Sequence, residues 1–101
     1  MNERQILALL KTGQVVFHYP LKAYVQEGGC DFGVSVPKRN FKRAVRRNLL
    51  KRRVREAYRL NAGRLGGRQY VVFVYYVGKQ VETYERIDKS MAQILDDLAA
   101  R

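Results

Sequence analysis

The sequence predicts a single α/β domain, and three observations carry that reading. The chain has 101 residues, enough for one core but not for two. Its apolar share, 47%, is that of a globular body, so its charge rides on a folded surface. Its hydrophobic pattern also changes period along the chain, from helix-like to strand-like and back, twice. The predicted order is helix, two or three strands, helix, strand, helix. No internal repeat, low-complexity stretch or linker divides residues 1–101.

The first helix is predicted over Asn2 to Lys11, where Ile6, Leu7, Leu9 and Leu10 fall at helical spacing and Gly13 follows as a stop. Gln14 to Glu27 is rich in β-branched and aromatic residues. Pro20 divides it into two short strands or one bent strand at a sheet edge. Gly28-Gly29 makes a turn, and Phe32, Val34 and Val36 alternate with Gly33 and Ser35 as a half-buried strand that Pro37 ends. A basic helix is predicted from about Phe41 to Leu60, stopped by Asn61 and Gly63. A flexible basic connector, with Arg64 and Arg68 among glycines, leads to Tyr70–Val77, a run of β-formers fit for a central strand. Thr83 caps a last helix, in which Tyr84, Ile87, Met91, Ile94, Leu95 and Leu98 recur at three and four.

Charge points to the partner. From Lys38 to Arg59, eleven of twenty-two residues are Lys or Arg against one acid, Glu56, and the whole chain carries +11. Such a run on a small domain is the footprint of a polyanion binder. As a helix, the segment stacks Arg47, Lys51, Arg55 and Arg59 at spacing four, with Asn48 and Arg52 beside them. Leu49, Leu50, Val54, Ala57 and Leu60 fall opposite as an apolar face. Like charges at spacing four repel, a penalty that an anion on that face would relieve. A merely solvated face explains a single-sign stripe poorly. Asn48 is a weak helix former without a cap role, and so a candidate contact to a ligand or a metal-bound water.

Other chemistries are excluded or weak. No phosphate-cradling glycine loop, Ser/His/Asp set or carboxylate cluster able to hold two magnesium ions is present, so no catalytic residue and no protein-bound metal or other cofactor is expected. Cys30 and His18 are the only residues of their types, which excludes a disulfide framework and a Cys/His zinc site and suits a reducing compartment. Strand aromatics such as Phe17 are core residues more often than base-stacking ones. No apolar run reaches the ~18 residues of a membrane span, and the start lacks the order of a signal peptide; a cytoplasmic location is expected.

The segment FGVSVPKRNFKRAVRRNLLKRRVREAYR resembles the core of the bacterial ribonuclease P protein component. Ala44, Val45, Arg47, Asn48, Lys51, Arg52, Arg55 and Glu56 match that family's helix in register, eight positions within thirteen residues, after the family's strand and basic turn. Weaker likeness extends along nearly the whole chain: Gly13, Pro20-Leu21-Lys22, Tyr70 and the final helix. Two departures stand out. Leu49 replaces the third residue of the family's Arg-Asn-Arg core, for which Arg46 or Arg53 could compensate. Ile6 and Leu10 replace aromatics of the first helix, while Tyr24 matches the family's strand tyrosine. The chain also begins closer to Gly13 than the family pattern, so a few leading residues are expected to be absent.

The resemblance implies an α/β (α+β) two-layer sandwich with a four-stranded sheet. It further implies a left-handed βαβ crossover, where pattern rules alone favour a right-handed one. The implied function is that of the protein subunit of a ribonucleoprotein that removes the 5′ leader from precursor tRNA. Its partners would be the catalytic RNA subunit and precursor tRNA, with no membrane and no obligate protein partner. Magnesium ions would be held mainly by the RNA, which does the chemistry. The implied RNA contacts are Lys38, Arg39, Arg46, Arg47, Asn48, Lys51, Arg52, Arg55 and Arg59, with Phe17 and Tyr24 as leader-cleft candidates. The competing class is a small ribosomal protein using the same helix to bind rRNA. A helix-turn-helix DNA binder fails, because no second helix precedes the basic one at a short turn.

Overall fold

A computed structural model describes all 101 residues, Met1–Arg101. In chain order the elements are α1 (Glu3–Thr12), β1 (Gln14–His18), β2 (Leu21–Glu27), β3 (Asp31–Ser35), α2 (Ala44–Asn61), a 3₁₀ turn (Ala62–Leu65), β4 (Tyr70–Tyr76) and α3 (Tyr84–Ala99). The predicted order stands, and the chain is an α+β protein. The Pro20 division resolves into two strands, joined by a tight turn whose Tyr19–Pro20 peptide is cis.

The four strands form one mixed sheet in the order β1-β2-β4-β3. β1 pairs antiparallel with β2, and β2 with β4, Leu21 standing opposite Tyr76 and Glu27 opposite Tyr70. β3 runs parallel to β4, Ser35 beside Tyr75, and α2 is the crossover between them. The long apolar run 70–76 thus takes a central place, with Val72, Val74 and Tyr76 fully buried on the helix side.

Because strand side chains alternate, the register sorts the sheet into two faces. Val16, Leu21, Ala23, Val25, Val72, Val74 and Tyr76 face α2 and α3 and form one core with Leu50, Val54, Ala57, Ile87, Met91, Ile94, Leu95 and Leu98. On the other face stand Val15, Phe17, Lys22, Tyr24, Gln26, Val71, Phe73 and Tyr75. α1 covers only one end of that face: Gln5, Ala8 and Leu9 line a small cleft with Gln26, Asp31 and Val71. On the same sheet face, Gly33 of β3 stands opposite Phe73. A Cβ there would stand 2.8 Å from the Phe73 ring, so only glycine lets this ring lie flat across β3.

Helix ends follow the sequence closely. The Asn2 side chain accepts from the Gln5 N–H at 2.8 Å while Gln5 returns a bond to Asn2 N at 3.0 Å, a reciprocal cap. Thr83 caps α3 by accepting from Arg86 N at 3.2 Å. α2 differs from expectation in three respects. It begins at Ala44, not Phe41, because Asn40 and Phe41 donate to the Pro37 carbonyl in a separate turn that sends Phe41 into the core. Leu60, expected on the apolar face, is 59% exposed, and Asn61 takes the buried place after Leu50, Val54 and Ala57. The spacing four, three, four of those residues tracks one side of a 3.6-residue helix, and Leu60 lies about 100° off it.

The third difference lies just beyond α2. Its basic connector is tied down: Arg64 donates to Asn61 at 2.9 Å and pairs with Asp96 at 3.2 Å, and Arg68 donates to the Leu98 and Ala99 carbonyls. The last carbonyls of a helix need donors, and Arg68 supplies them to α3.

Candidate nucleic-acid interface

The outer side of α2 carries the charge. Asn48, Arg52, Arg55 and Arg59 are exposed at spacing four, three, four, directly away from the core row, and Lys51 is half-buried at their flank. Arg46 is exposed at the first turn, and Lys38 and Arg39 are exposed in the loop before it. No acid stands in the first turn of α2 and no side chain caps its N-terminus. Glu56 is already spent on Arg59, 2.5 Å away; the bond holds the Glu56 carboxyl below its ordinary range and the Arg59 guanidinium above its own. Arg46, Lys51, Arg52 and Arg55 enter no ion pair. Their charge is available to an outside anion.

Arg47 is the exception among the expected contacts. Its guanidinium donates to the Phe41 carbonyl at 2.7 Å and to the Lys42 carbonyl at 2.9 Å, and the residue is half-buried. It ties the Phe41–Lys42 end of the basic loop to the first turn of the helix. Of the two residues expected to stand in for Leu49, Arg53 is turned inward, donating to the Glu82 carbonyl at 2.6 Å, whereas Arg46 is free. Leu49 itself is half-buried, as are Ile6 and Leu10 on α1.

The bare sheet face forms the second half of the site. Phe17 is 56% exposed there, in register with Lys22, and Tyr24 is the next position along β2 on the same face. The structure therefore brings Phe17 and Tyr24 together. Tyr24 meets Tyr75 edge-on with ring centroids 6.0 Å apart, Tyr75 meets Phe73 at 5.3 Å, and Lys22 Nζ lies 5.4 Å from the Tyr24 ring. This is a row of rings topped by a cation, with no element laid over it except α1 at one end. Sequence reasoning missed Lys22 and Tyr75 as candidate site residues; Phe73 continues the row but is itself buried, at 5% exposure. The alternation Leu21-Lys22-Ala23-Tyr24-Val25 held the signal for Lys22. The unbroken run Tyr70–Tyr76 held none, since both faces of β4 are apolar or aromatic.

Cation helix and aromatic floor are not separate. Where β3 and β4 end, an open groove of about 740 Å³ is lined by Ser35, Pro37, Arg39, Asn40, Tyr75, Val77 and Lys79. It leads from Tyr75 on the bare face to Arg39 in the loop that Arg47 anchors. An extended polyanion could lie across the rings and continue against the cations without leaving the surface. No group of three or more His, Cys, Asp or Glu side chains converges anywhere on the protein. His18 pairs with Asp97 at 2.7 Å across β1 and α3, far from these residues in role, and Cys30 is an exposed free thiol.

Fold and site together define a small basic α+β protein that sets a cationic crossover helix behind a sheet and leaves an aromatic face in front. The chain matches the Ribonuclease P family model over residues 1–99 and belongs to that family. It is 41% identical over 63 residues to the ribonuclease P protein component of Porphyromonas gingivalis, covering 56% of this chain and 46% of that protein. It is 50% identical over 40 residues to the corresponding component of Nitrosococcus oceani, covering 40% and 34%. The chain thus spans about half the length of the first of these relatives, and less of the second. In fold it is similar to the RNase P protein of Staphylococcus aureus, with a TM-score of 0.81 at 20% identity over 96% of this chain and 91% of that one. It is likewise similar to that of Thermotoga maritima, at 0.80 and 22% over 96% and 94%.

Proposed function

We propose that this chain is the protein subunit of a ribonuclease P ribonucleoprotein. It binds the catalytic RNA through α2 and the Lys38-Arg39 loop, and it receives the 5′ leader of precursor tRNA on the bare face of the sheet. The observation that carries the reading is the groove joining Tyr75 to Arg39, because it makes one continuous track from stacking rings to unpaired cations. Arg46, Lys51, Arg52 and Arg55 neutralise phosphates, with Arg guanidinium groups suited to paired hydrogen bonds to their oxygens. Asn48, exposed within that row, adds a neutral donor and acceptor. Arg47 acts through the loop it holds. Phe17 and Tyr24 offer faces on which unpaired bases stack, a contact indifferent to sequence.

The protein's own donors suit binding and not metal-assisted hydrolysis. Its carboxylates are dispersed or paired with arginine, so in this reading the magnesium ions and the cleavage belong mainly to the RNA. No helix is long and apolar enough to cross a membrane, and the work proposed is that of the cytoplasm.

Reconstitution tests the reading. Protein and ribonuclease P RNA together are expected to cleave precursor tRNA at its 5′ leader at a lower magnesium concentration than the RNA alone, and protein alone to leave it intact. Specific cleavage by RNA-free protein overturns the division of labour. Co-sedimentation with ribosomal particles, in place of one tRNA-maturing RNA, favours the ribosomal alternative.

A further inference from the structure

The end of the molecule that holds the basic loop also holds a second, smaller cationic groove. Leu21 stands opposite Tyr76, so the β1–β2 turn lies where β3 and β4 finish, and Val77 N donates to the Pro20 carbonyl at 2.8 Å. The first half of α3 is fastened there too, Ser90 Oγ donating to the Tyr19 carbonyl at 2.7 Å. Between turn and helix runs an open groove of about 530 Å³ lined by Tyr19, Glu85, Arg86, Lys89, Ser90 and Gln93. Tyr19 is 45% exposed, and the Arg86 guanidinium carbon lies 5.4 Å from its ring centroid.

These cations are weakly committed within the protein. Lys89 enters no ion pair, and Arg86 reaches only Glu82, at 3.6 Å, well beyond the ~2.7–2.9 Å of a close charge-assisted bond. Arg86 and Lys89 stand one helical turn apart, with Gln93 one turn further on the same side. Glu85 is the one acid on the groove wall.

We propose that this groove is a second RNA contact. Lys89 and Arg86 meet phosphates, and the Arg86–Tyr19 pair offers a flat surface to an unstacked base or ribose. The proposal rests on the ribonucleoprotein reading above and enlarges it: RNA grips the protein across one whole end, from the start of α2 over Lys79 to the start of α3. An RNA is favoured over an acidic protein because the groove combines a planar stacking surface with two cations at helical spacing, and because it shares an end with the loop of Lys38 and Arg39.

Binding of the ribonuclease P RNA, transcribed in vitro, is measured across a potassium chloride series for wild type, Arg86→Gln/Lys89→Gln, Glu85→Gln, Tyr19→Leu and the remote control Lys11→Gln. The double variant is expected to melt like wild type and to bind about tenfold or more weakly, with the log–log salt slope shallower by about 1.4–1.8 for two lost phosphate contacts. Glu85→Gln is expected to bind about two- to threefold tighter by removing a repulsion. Tyr19→Leu is expected to weaken binding about fivefold or more with the slope unchanged. A double variant and a Glu85→Gln protein both indistinguishable from Lys11→Gln overturn the proposal. If Arg52→Ala also leaves the slope unchanged, the ribonucleoprotein reading itself fails, so the two failures are separable.

Discussion

At the scale of single residues, Arg47 and Arg52 are both arginines of one basic stripe, yet their surroundings assign them different work. Arg52 is exposed and free, whereas Arg47 is half-buried and satisfies two loop carbonyls. Arg52→Ala is expected to leave the melting temperature unchanged and to weaken RNA binding by about 1–3 kcal/mol. Arg47→Ala is expected to cost about 1 kcal/mol of stability as well, since the Phe41 and Lys42 carbonyls lose their donor. A melting curve and a binding isotherm for each variant decide it; equal melting temperatures would remove the anchoring role. Tyr76 is a second instructive residue. Its hydroxyl donates to the Gln80 carbonyl at 2.6 Å and accepts from Glu82 N at 3.0 Å, and burial pushes its pKa up to about 12. The folded state therefore favours the neutral phenol, and its contribution is fully present below the unfolded value near 10 and lost as pH rises towards 12. Burial also raises Tyr58 and Tyr84, in the same direction. The melting temperature should fall through pH 10–12, and less steeply in Tyr76→Phe. Parallel pH profiles for the two proteins would refute the assignment.

At the scale of the element, α2 has two sides of opposite character. Leu50, Val54 and Ala57 are fully buried, while Asn48, Arg52, Arg55 and Arg59 face solvent. Leu50→Ala is expected to destabilise by about 2–5 kcal/mol and Val54→Ala by about 1–3 kcal/mol, with RNA affinity of the folded fraction unchanged. The check is denaturant unfolding alongside RNA binding at a temperature where both variants are folded. If Leu50→Ala melted normally but bound less RNA, the helix would be turned the other way. The alternation of β2 and the three–four spacing of α3 were legible as written, because each buries only one face. α2 was legible in its middle and blurred at its ends. Its start is set by where Phe41 enters the core, and its last buried position by Asn61, which donates to the Ala57 carbonyl at 2.8 Å and to Asp88 at 2.7 Å. A polar residue satisfied by a partner twenty-seven positions away leaves no mark in local periodicity.

At the scale of the whole molecule, the proposed function makes the exposed charge of α2 and its loop a phosphate-binding surface. With about five to eight phosphate contacts from α2 and its flanking loop, log affinity is expected to fall with log salt at about 0.7–0.9 per contact. A titration over a tenfold range of monovalent salt measures it, and a slope near zero would exclude phosphate neutralisation as the source of affinity. Steering by the same field should also make association fast at low salt and slower as salt screens it.

The sequence by itself determined the order of elements, the basic helix and its two-sidedness, the cap at Thr83, and the family to which the residues from Phe32 to Arg59 point. All of these are written in local spacing, where chemistry and structure share a period. Only the tertiary structure decided that Phe17, Tyr24 and Tyr75 share one open face, with Phe73 buried beside them, since that follows from strand order and register across residues some fifty positions apart. Only it showed that Arg47 and Arg53 are spent on carbonyls of the protein while Arg46 and Arg52 are not. A cation's sequence position gives its side of the helix. Whether it is free depends on which backbone oxygens the rest of the chain leaves within its reach.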